Sequence, residues 1–172
     1  GPAGHPAEQR RSDARPNLLV ISMDTTRADH LSAYGYARDT SPNLRALAAE
    51  GVRFAAAYAP TATTGPSHAS LFTALYPMTH RVLKNGHRLA AEHETLAEML
   101  AAEGFDTAAV VSSYVLNRKF GYDQGFASYD DDVSQADTPI GSYQWEGKTV
   151  EGRFYGRADD TTRRARDWLA RR

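Results

Sequence analysis

The chain has 172 residues, a formal net charge of −1 and 41% hydrophobic residues. This length and composition are typical of one globular domain, and the near-neutral charge excludes the broad basic field of a nucleic-acid-binding protein. The absence of cysteine excludes disulfide bonds, thiolate metal sites and a cysteine nucleophile. No apolar run approaches the roughly 18 residues of a membrane-spanning helix, so the sequence predicts no membrane span.

The beginning of the chain differs in character from the rest. Residues 1–15 are polar, contain Pro, Gly and Arg, and show no hydrophobic periodicity, so we interpret them as a flexible leader. Gly1 and Pro2 resemble the remnant of a protease-cleaved tag. The folded domain is therefore predicted over residues 16–172.

Three apolar segments predict strands. Residues 18–23 and 107–112 are continuous apolar runs, which are typical of strands covered on both faces. Residues 52–59 predict a shorter strand between them. A later stretch, residues 123–147, is rich in Gly, Asp, Ser and Tyr and predicts a long irregular surface segment.

Four segments predict helices from their apolar periodicity and capping residues. Ser41 and Pro42 supply the N-cap and first residue of the first helix, and the third helix should turn Leu96, Met99 and Leu100 inward. The four segments cover residues 41–51, 66–75, 94–103 and 159–171.

The alternation of strands and helices predicts an α/β fold with a mostly parallel sheet sandwiched by helices. Helices in such folds are crossover connections that lead into a further strand. The last predicted helix reaches Arg171 with no strand after it. We therefore expect the chain to be the N-terminal half of a longer domain.

Two residues at the ends of predicted elements, Asp24 and Thr64, have side chains with complementary chemistry. Asp24 ends the first apolar run, and Thr64 lies in a Thr-Gly-Pro turn that opens a helix. Sites of open α/β sheets form beyond the carboxyl ends of the strands, and a helix N-terminus favours anions. A carboxylate for a metal and a hydroxyl at an anion site are components of a phosphate or sulfate ester hydrolase. Taken alone, Asp24 fits a turn cap equally well, and Thr64 fits an N-cap better.

Further polar residues surround the predicted helix start. His68 lies one turn into the helix, within reach of an anion as a hydrogen-bond donor or proton carrier. Lys84, Asn85 and His87 follow this helix and would stabilise charge on a bound oxyanion. The alternative for these three is an ordinary polar surface turn, because Asn85-Gly86 is a strong turn signal.

The sequence resembles the N-terminal part of sulfatases in the alkaline phosphatase superfamily. The resemblance rests on several stretches in order, among them residues 16–30 (PNLLVISMDTTRADH), 66–73 (PSHASLFT) and 120–126 (FGYDQGF). It implies an alkaline-phosphatase-like fold and a divalent metal (Zn, Ca, Mg or Mn) held partly by Asp24 and Thr64. It also implies that Thr64 is the nucleophile beside that metal.

The chain departs from the typical sulfatase pattern in three places. Thr64 stands where sulfatases carry the Cys or Ser that becomes formylglycine, so no formylglycine is expected. Thr25 stands where a second Asp is usual, and the family's Lys and His are absent after residues 108–114. The stretch from Thr64 to His68 is instead similar to the Thr-x-Pro-Asn-His pattern of nucleotide pyrophosphatase/phosphodiesterases, and Asn85 matches an Asn of those enzymes. The Thr nucleophile favours phosphoryl over sulfuryl transfer.

The resemblance implies a metal-dependent hydrolase or transferase of small-molecule, lipid or glycan phosphate or sulfate esters. Because the family's remaining metal ligands lie beyond Arg172, the chain alone is expected to be inactive, with the missing C-terminal half as a possible separate partner chain. The alternatives are a non-catalytic truncated module for binding or assembly, and simple anion binding at the Pro66 helix start. A bacterial periplasmic or secreted location is favoured over a cytoplasmic one.

Overall fold

The computed structural model describes residues 15–133, 141–145, 148–152 and 154–172. The chain forms two units, Gly1–Ala49 and Glu50–Arg172, and each is described by itself. Apart from Arg15, the predicted leader lies outside the described residues. No helix in the described ranges has the length and apolar character needed to cross a membrane.

The first unit contains two 3₁₀ turns, Ala28–His30 and Ser32–Tyr34, followed by helix α1, Pro42–Glu50. The helix begins at the predicted proline, whose fixed φ suits a first helical position. The hydroxyl of Ser41, the predicted N-cap, lies 2.9 Å from the hydroxyl of Ser32. This contact ties the start of α1 to the preceding 3₁₀ turn.

The strand predicted over residues 18–23 is not formed. Its large side chains are exposed, from 51% for Met23 to 75% for Ile21, and the segment belongs to no strand. The prediction was wrong because apolarity reports a preference for burial, whereas a strand also needs neighbouring strands for its backbone N–H and C=O groups. The described strands pair only with one another.

The strand predicted over residues 52–59, in the second unit, is wrong for the same reason. The segment is irregular, and its large apolar side chains, Val52, Phe54 and Tyr58, are exposed. Its apolar residues alone do not supply a hydrogen-bonding partner strand.

The second unit contains a parallel strand pair. Strand β1, Ala108–Val110, lies within the run predicted over residues 107–112, and β2 is Ser128–Asp130. The two pair in parallel with Ala109 opposite Tyr129. The predicted α/β class with parallel strands is thus confirmed, although β2 falls in the segment predicted to be irregular. A three-residue strand with one buried side chain is too short to give a periodic signal.

A second strand pair begins in the segment predicted to be irregular, residues 123–147, and ends after it. Strands β3, Gly141–Trp145, and β4, Lys148–Gly152, form an antiparallel hairpin in which Gly141 is opposite Gly152. The Gly, Ser and Tyr content of this sequence indicated a loop. In the structure, pairing between β3 and β4 gives their backbone N–H and C=O groups hydrogen-bond partners.

Four α-helices lie in the described part of the second unit. They are α2, Thr64–Thr73; α3, Pro77–His80; α4, Leu96–Ala102; and α5, Ala158–Leu169. Helix α2 begins two residues before the predicted start at residue 66, so Thr64 is its first residue. In α4, Ala97 is the buried side chain and Met99, predicted to face inward, is largely exposed.

The core of this unit connects the site-bearing helix to the parallel strands. Its buried members are Ala69, Val82, Leu89, Val115, Leu116, Tyr122 and Tyr129. Helix α5 is tied to β2 because the Arg164 guanidinium contacts the Asp130 carboxylate at the end of that strand. Phe72 of α2 and Phe126 before β2 pack edge to face at 6.1 Å between ring centroids.

The start of α4 makes a testable prediction about stability. The Thr95 hydroxyl accepts a bond from Glu98 N–H and also donates to Gln124 C=O at 3.1 Å, while the Glu98 carboxylate accepts from Thr95 N–H. Thr95→Ala removes these bonds, so we expect the free energy of unfolding to fall by about 1 to 2 kcal/mol in urea titrations. Thr79→Ala, at an exposed position of α3, is the matched control. An equal loss in both variants would contradict the capping role.

Candidate functional site

The start of α2 is the centre of the candidate site. Thr63 has extended backbone angles and is the N-cap, so Thr64 is the first residue of a ten-residue helix. Pro66 is tolerated because the first turn does not need its N–H. Gly65 and Pro66 are buried, whereas Thr64 is partly accessible. The positive end of the helix dipole therefore lies at a residue with a nucleophilic hydroxyl.

Asn85 meets this helix start from a distant point in the sequence. Its Oδ1 atom accepts a hydrogen bond of 2.7 Å from Gly65 N–H. The predicted turn positions it: His87 N–H donates to Lys84 C=O, and Gly86 has the positive φ of +87° that suits glycine. Because Oδ1 must be the acceptor, the Asn85 Nδ2 group keeps its two donor hydrogens for another partner.

Gly65 is needed at this position because of close approach. A Cβ atom on Gly65 would lie 2.9 Å from the Tyr122 hydroxyl oxygen and 3.1 Å from Asn85 Oδ1. Such distances are shorter than ordinary contacts between a methyl group and an oxygen. The backbone beside Thr64 is therefore enclosed by two polar side chains.

His68 is held against the backbone of Thr64. Its side chain is buried, and Nδ1 lies 2.8 Å from Thr64 C=O. A carbonyl only accepts, so Nδ1 carries the hydrogen, and in the neutral ring the lone pair is at Nε2. The geometry places an imidazole one turn from the hydroxyl of Thr64, and its proton-carrying role stays a prediction.

The other two residues of the predicted polar turn lie differently. Lys84 is exposed. The His87 ring lies against its own loop, with Nδ1 at 3.4 Å from both Leu83 N and Arg81 O. The structure thus brings Asn85 to the start of α2, while substrate contacts by Lys84 and His87 stay predictions.

Asp24 belongs to the first unit and Thr64 to the second. The exposed Asp24 carboxylate accepts a 2.9 Å bond from Thr25 N–H, and Thr25 has a φ of +56°. This contact is local to the turn at Asp24 and Thr25. Metal binding by Asp24 stays a prediction.

The family resemblance implies a divalent metal. A catalytic zinc ion has three protein ligands. Within residues 15–133 and the later described ranges, no group of three His, Asp or Glu side chains is close enough to hold an ion. These residues do not by themselves complete a metal site, and no reaction step is assigned to a metal.

Sequence reasoning missed a buried histidine that supports α2. His80 is 1% exposed; its Nδ1 accepts from Val82 N–H at 3.1 Å, and its Nε2 lies 2.9 Å from the Ser70 hydroxyl. Because Nδ1 accepts, the Nε2 atom carries the hydrogen and donates to Ser70. Burial lowers the pKa of His80 below its ordinary value. The surrounding sequence is polar, so it gave no signal of burial.

Sequence reasoning also missed Tyr122, which lies in the FGYDQGF stretch and reaches the backbone beside Thr64. The quoted stretch supported the family resemblance without indicating which of its side chains approaches α2. Only the packing of this segment against the helix reveals the residue.

A helix start bearing a threonine hydroxyl, in a unit with parallel strands, is consistent with an ester-hydrolase fold. The sequence model of the Sulfatase family matches residues 16–172. The chain therefore belongs to the sulfatase family. Its structural neighbours are members of the alkaline phosphatase superfamily, which confirms the predicted fold class.

The chain is similar to parts of longer proteins. It is 38% identical over 104 residues to an ulvan-active sulfatase of Formosa agariphila, covering 59% of this chain and 20% of that protein. A phosphonate monoester hydrolase of Agrobacterium radiobacter matches 66% of this chain and 25% of its own, with a TM-score of 0.59 and 37% identity.

A third relative is BT4656, solved in complex with its substrate D-glucosamine-2-N,6-O-disulfate. It matches 92% of this chain and 32% of its own, with a TM-score of 0.72 and 25% identity. The chain spans between 20% and 32% of the length of these three relatives.

The buried His80 predicts a pH dependence of stability. Its folded-state pKa lies below the unfolded value of 6.5, so near and below that pH the unfolded chain binds more protons than the folded chain. The free energy of unfolding should therefore fall as the pH is lowered from about 7 to values below 6.5. Urea titrations across this range should show a smaller fall in His80→Gln.

His87→Gln is the matched control, because it retains His80 and should keep the dependence that His80 causes. A pH dependence that is the same in His80→Gln as in the wild type would contradict the assignment.

Proposed function

We propose that the protein carrying this chain hydrolyses phosphate or sulfate esters, and that Thr64 is its nucleophile. The observation that carries the proposal is the placement of Thr64 as the first residue of α2, beside a backbone N–H bound by Asn85. Membership of the sulfatase family supports the same reaction class.

The reaction would proceed by substitution at phosphorus or sulfur. The Thr64 Oγ passes its proton to a base, the role proposed here for His68 Nε2, and bonds to the phosphorus or sulfur atom. The bond to the leaving alcohol oxygen breaks, and that oxygen takes up the proton. Water then hydrolyses the ester on Thr64 and restores the hydroxyl. The positive end of α2 favours the negative charge of the transferred group throughout.

A threonine at position 64 affects which class of ester the protein would hydrolyse. A neutral threonine hydroxyl is a weak nucleophile and needs a base or a metal for activation. It is not converted to formylglycine, so the proposal favours phosphate esters and diesters over sulfate esters. The phosphonate monoester hydrolase among the structural neighbours is compatible with that preference.

Asn85 would bind the transferred group. Its Oδ1 is fixed by Gly65 N–H, so its Nδ2 donors have a set direction before substrate arrives. Donors that are oriented in advance stabilise developing charge without reorganisation during the reaction. Among the described residues, Nδ2 makes no hydrogen bond that competes with this role.

The remaining residue roles complete the proposal. His68 would move a proton through Nε2, and Lys84 and His87 would contact the substrate. Asp24 and Thr64 would hold part of a divalent metal site.

The substrate would be a small-molecule, lipid or glycan ester. The sugar-sulfate substrate of BT4656 supports the glycan class. An exported location, periplasmic or secreted, belongs to the same proposal.

Removal of the nucleophile is the first test. In the protein at full length, Thr64→Ala should lower kcat at least about 1,000-fold because no other hydroxyl replaces the attacking oxygen. The measurement uses the 4-nitrophenyl esters of phosphate, sulfate and methylphosphonate together with bis(4-nitrophenyl) phosphate.

Thr63→Ala is the matched control for this test. The Thr63 side chain makes no capping hydrogen bond, so this variant should keep the wild-type kcat. Undiminished turnover in Thr64→Ala would refute the nucleophile. A wild-type protein inactive on all four esters would favour the non-catalytic binding module.

The role of Asn85 is tested by an isosteric change. Asn85→Asp retains an oxygen for Gly65 N–H but replaces the Nδ2 donors by a negatively charged oxygen. We expect a folded protein whose kcat/KM for the preferred ester is reduced about 100-fold by lost donation and charge repulsion.

Asn43→Asp on the exposed face of α1 introduces the same charge elsewhere and should leave kcat/KM unchanged. An unchanged kcat/KM in Asn85→Asp would remove this residue from the anion site.

A further inference from the structure

The Tyr122 hydroxyl is buried and has no hydrogen-bond partner in the part of the chain that the structure describes. The residue is 2% exposed, and its hydroxyl oxygen bonds to no atom of the described residues. The nearby Tyr129 shows the usual arrangement, since its buried hydroxyl donates to Leu116 C=O at 2.6 Å. A buried polar group without a partner opposes folding, so its presence in a core calls for a reason.

The position of this hydroxyl supplies the reason. Its oxygen lies 2.9 Å from the point that a Cβ atom on Gly65 would occupy, and Gly65 directly follows Thr64. Asn85 Oδ1 lies 3.1 Å from the same point and binds the Gly65 N–H. Gly65 N–H is therefore bound by Asn85, and the Tyr122 oxygen occupies the space that a side chain on Gly65 would need.

The first turn of α2 is restrained in part by its own residues. His68 Nδ1 bonds to Thr64 C=O at 2.8 Å, and Ser67 N–H donates to Thr63 C=O at 3.0 Å. The Thr63 side chain does not cap the helix, and Pro66 has no N–H. Asn85 and Tyr122, which lie outside the helix, add to these restraints beside Thr64.

The neighbours of Tyr122 restrict the position of its side chain. The preceding Gly121 has a φ of +78°, and a Cβ there would lie 2.5 Å from Leu89 C=O. Leu89 N–H donates to Phe120 C=O at 2.9 Å. The Tyr122 ring packs edge to face on Phe72 of α2 at 6.5 Å between centroids. The hydroxyl therefore has little freedom to move away from Gly65.

We propose that Tyr122 is a positioning residue for the nucleophile: its hydroxyl supports Gly65 and thereby fixes the position of Thr64. The inference rests on the proposed function, because it concerns the residue assigned the attack. Small displacements of reacting atoms lower rates strongly. This positioning role would explain why a tyrosine hydroxyl is buried beside Gly65 with no hydrogen-bond partner among the described residues.

The test removes only the oxygen. Tyr122→Phe keeps the ring packing, and in the protein at full length its kcat should fall about tenfold, with KM within about twofold of the wild type. The urea midpoint should equal or exceed that of the wild type, because an unpartnered buried hydroxyl is lost. The substrate is the 4-nitrophenyl ester that the wild type turns over fastest.

Tyr129→Phe is the matched control and should behave in the opposite way. It loses a satisfied hydrogen bond, so its urea midpoint should fall while its kcat stays within about twofold of the wild type. A Tyr122→Phe variant with wild-type kcat, or with a change in KM alone, would overturn the inference.

The contact itself is tested by a double-mutant cycle. Gly65→Ala should lower the urea midpoint strongly in the wild type and less in Tyr122→Phe, where the oxygen at 2.9 Å is gone. Equal losses in both backgrounds would contradict the contact.

The two proposals fail in different ways. If Thr64→Ala retains turnover, the nucleophile assignment fails and the role of Tyr122 fails with it. If Thr64→Ala is inactive and Tyr122→Phe is fully active, only the role of Tyr122 fails.

Discussion

The hydrogen bond from Gly65 N–H to Asn85 Oδ1 is the constraint on which the candidate site depends. It joins the first turn of α2 to a loop 20 residues away, and its length of 2.7 Å leaves little freedom. The bond sets the plane of the Asn85 amide, while the Tyr122 hydroxyl and Asn85 Oδ1 together leave little room for a side chain at residue 65. Thr64 therefore lies beside a backbone that is already fixed, which is the kind of preorganisation that nucleophilic catalysis exploits.

The buried polar groups around α2 divide into two kinds. The His80 imidazole and the Ser70 hydroxyl satisfy each other, and Thr95 is satisfied through the capping box and Gln124. These groups stabilise the core at little net cost because each retains a partner. The Tyr122 hydroxyl and the Gln124 Oε1 atom have no partner among the described residues. Of these two atoms, the Tyr122 hydroxyl lies beside Gly65 at the candidate site, where unsatisfied groups are most often tolerated.

The structure also separates what the family implies from what these residues show. Family membership and the parallel β1–β2 pair connect the chain to ester hydrolases of the alkaline phosphatase superfamily. The described residues do not complete a metal site, and the chain spans 20% to 32% of its three compared relatives. The function proposed for Thr64 and Asn85 rests on contacts within the second unit.

Local signals in the sequence determined the α/β class, the family, the Pro42 helix start and the turn at Asn85-Gly86. These depend on neighbouring residues, backbone preferences and ordered motifs, which a single sequence displays. The sequence did not reveal that the run over residues 18–23 is exposed, because strand formation depends on distant partners. Only the tertiary structure joined Asn85 to Gly65 and placed Tyr122 against the same residue. Contacts between distant segments arise from packing, which periodicity and capping patterns do not encode.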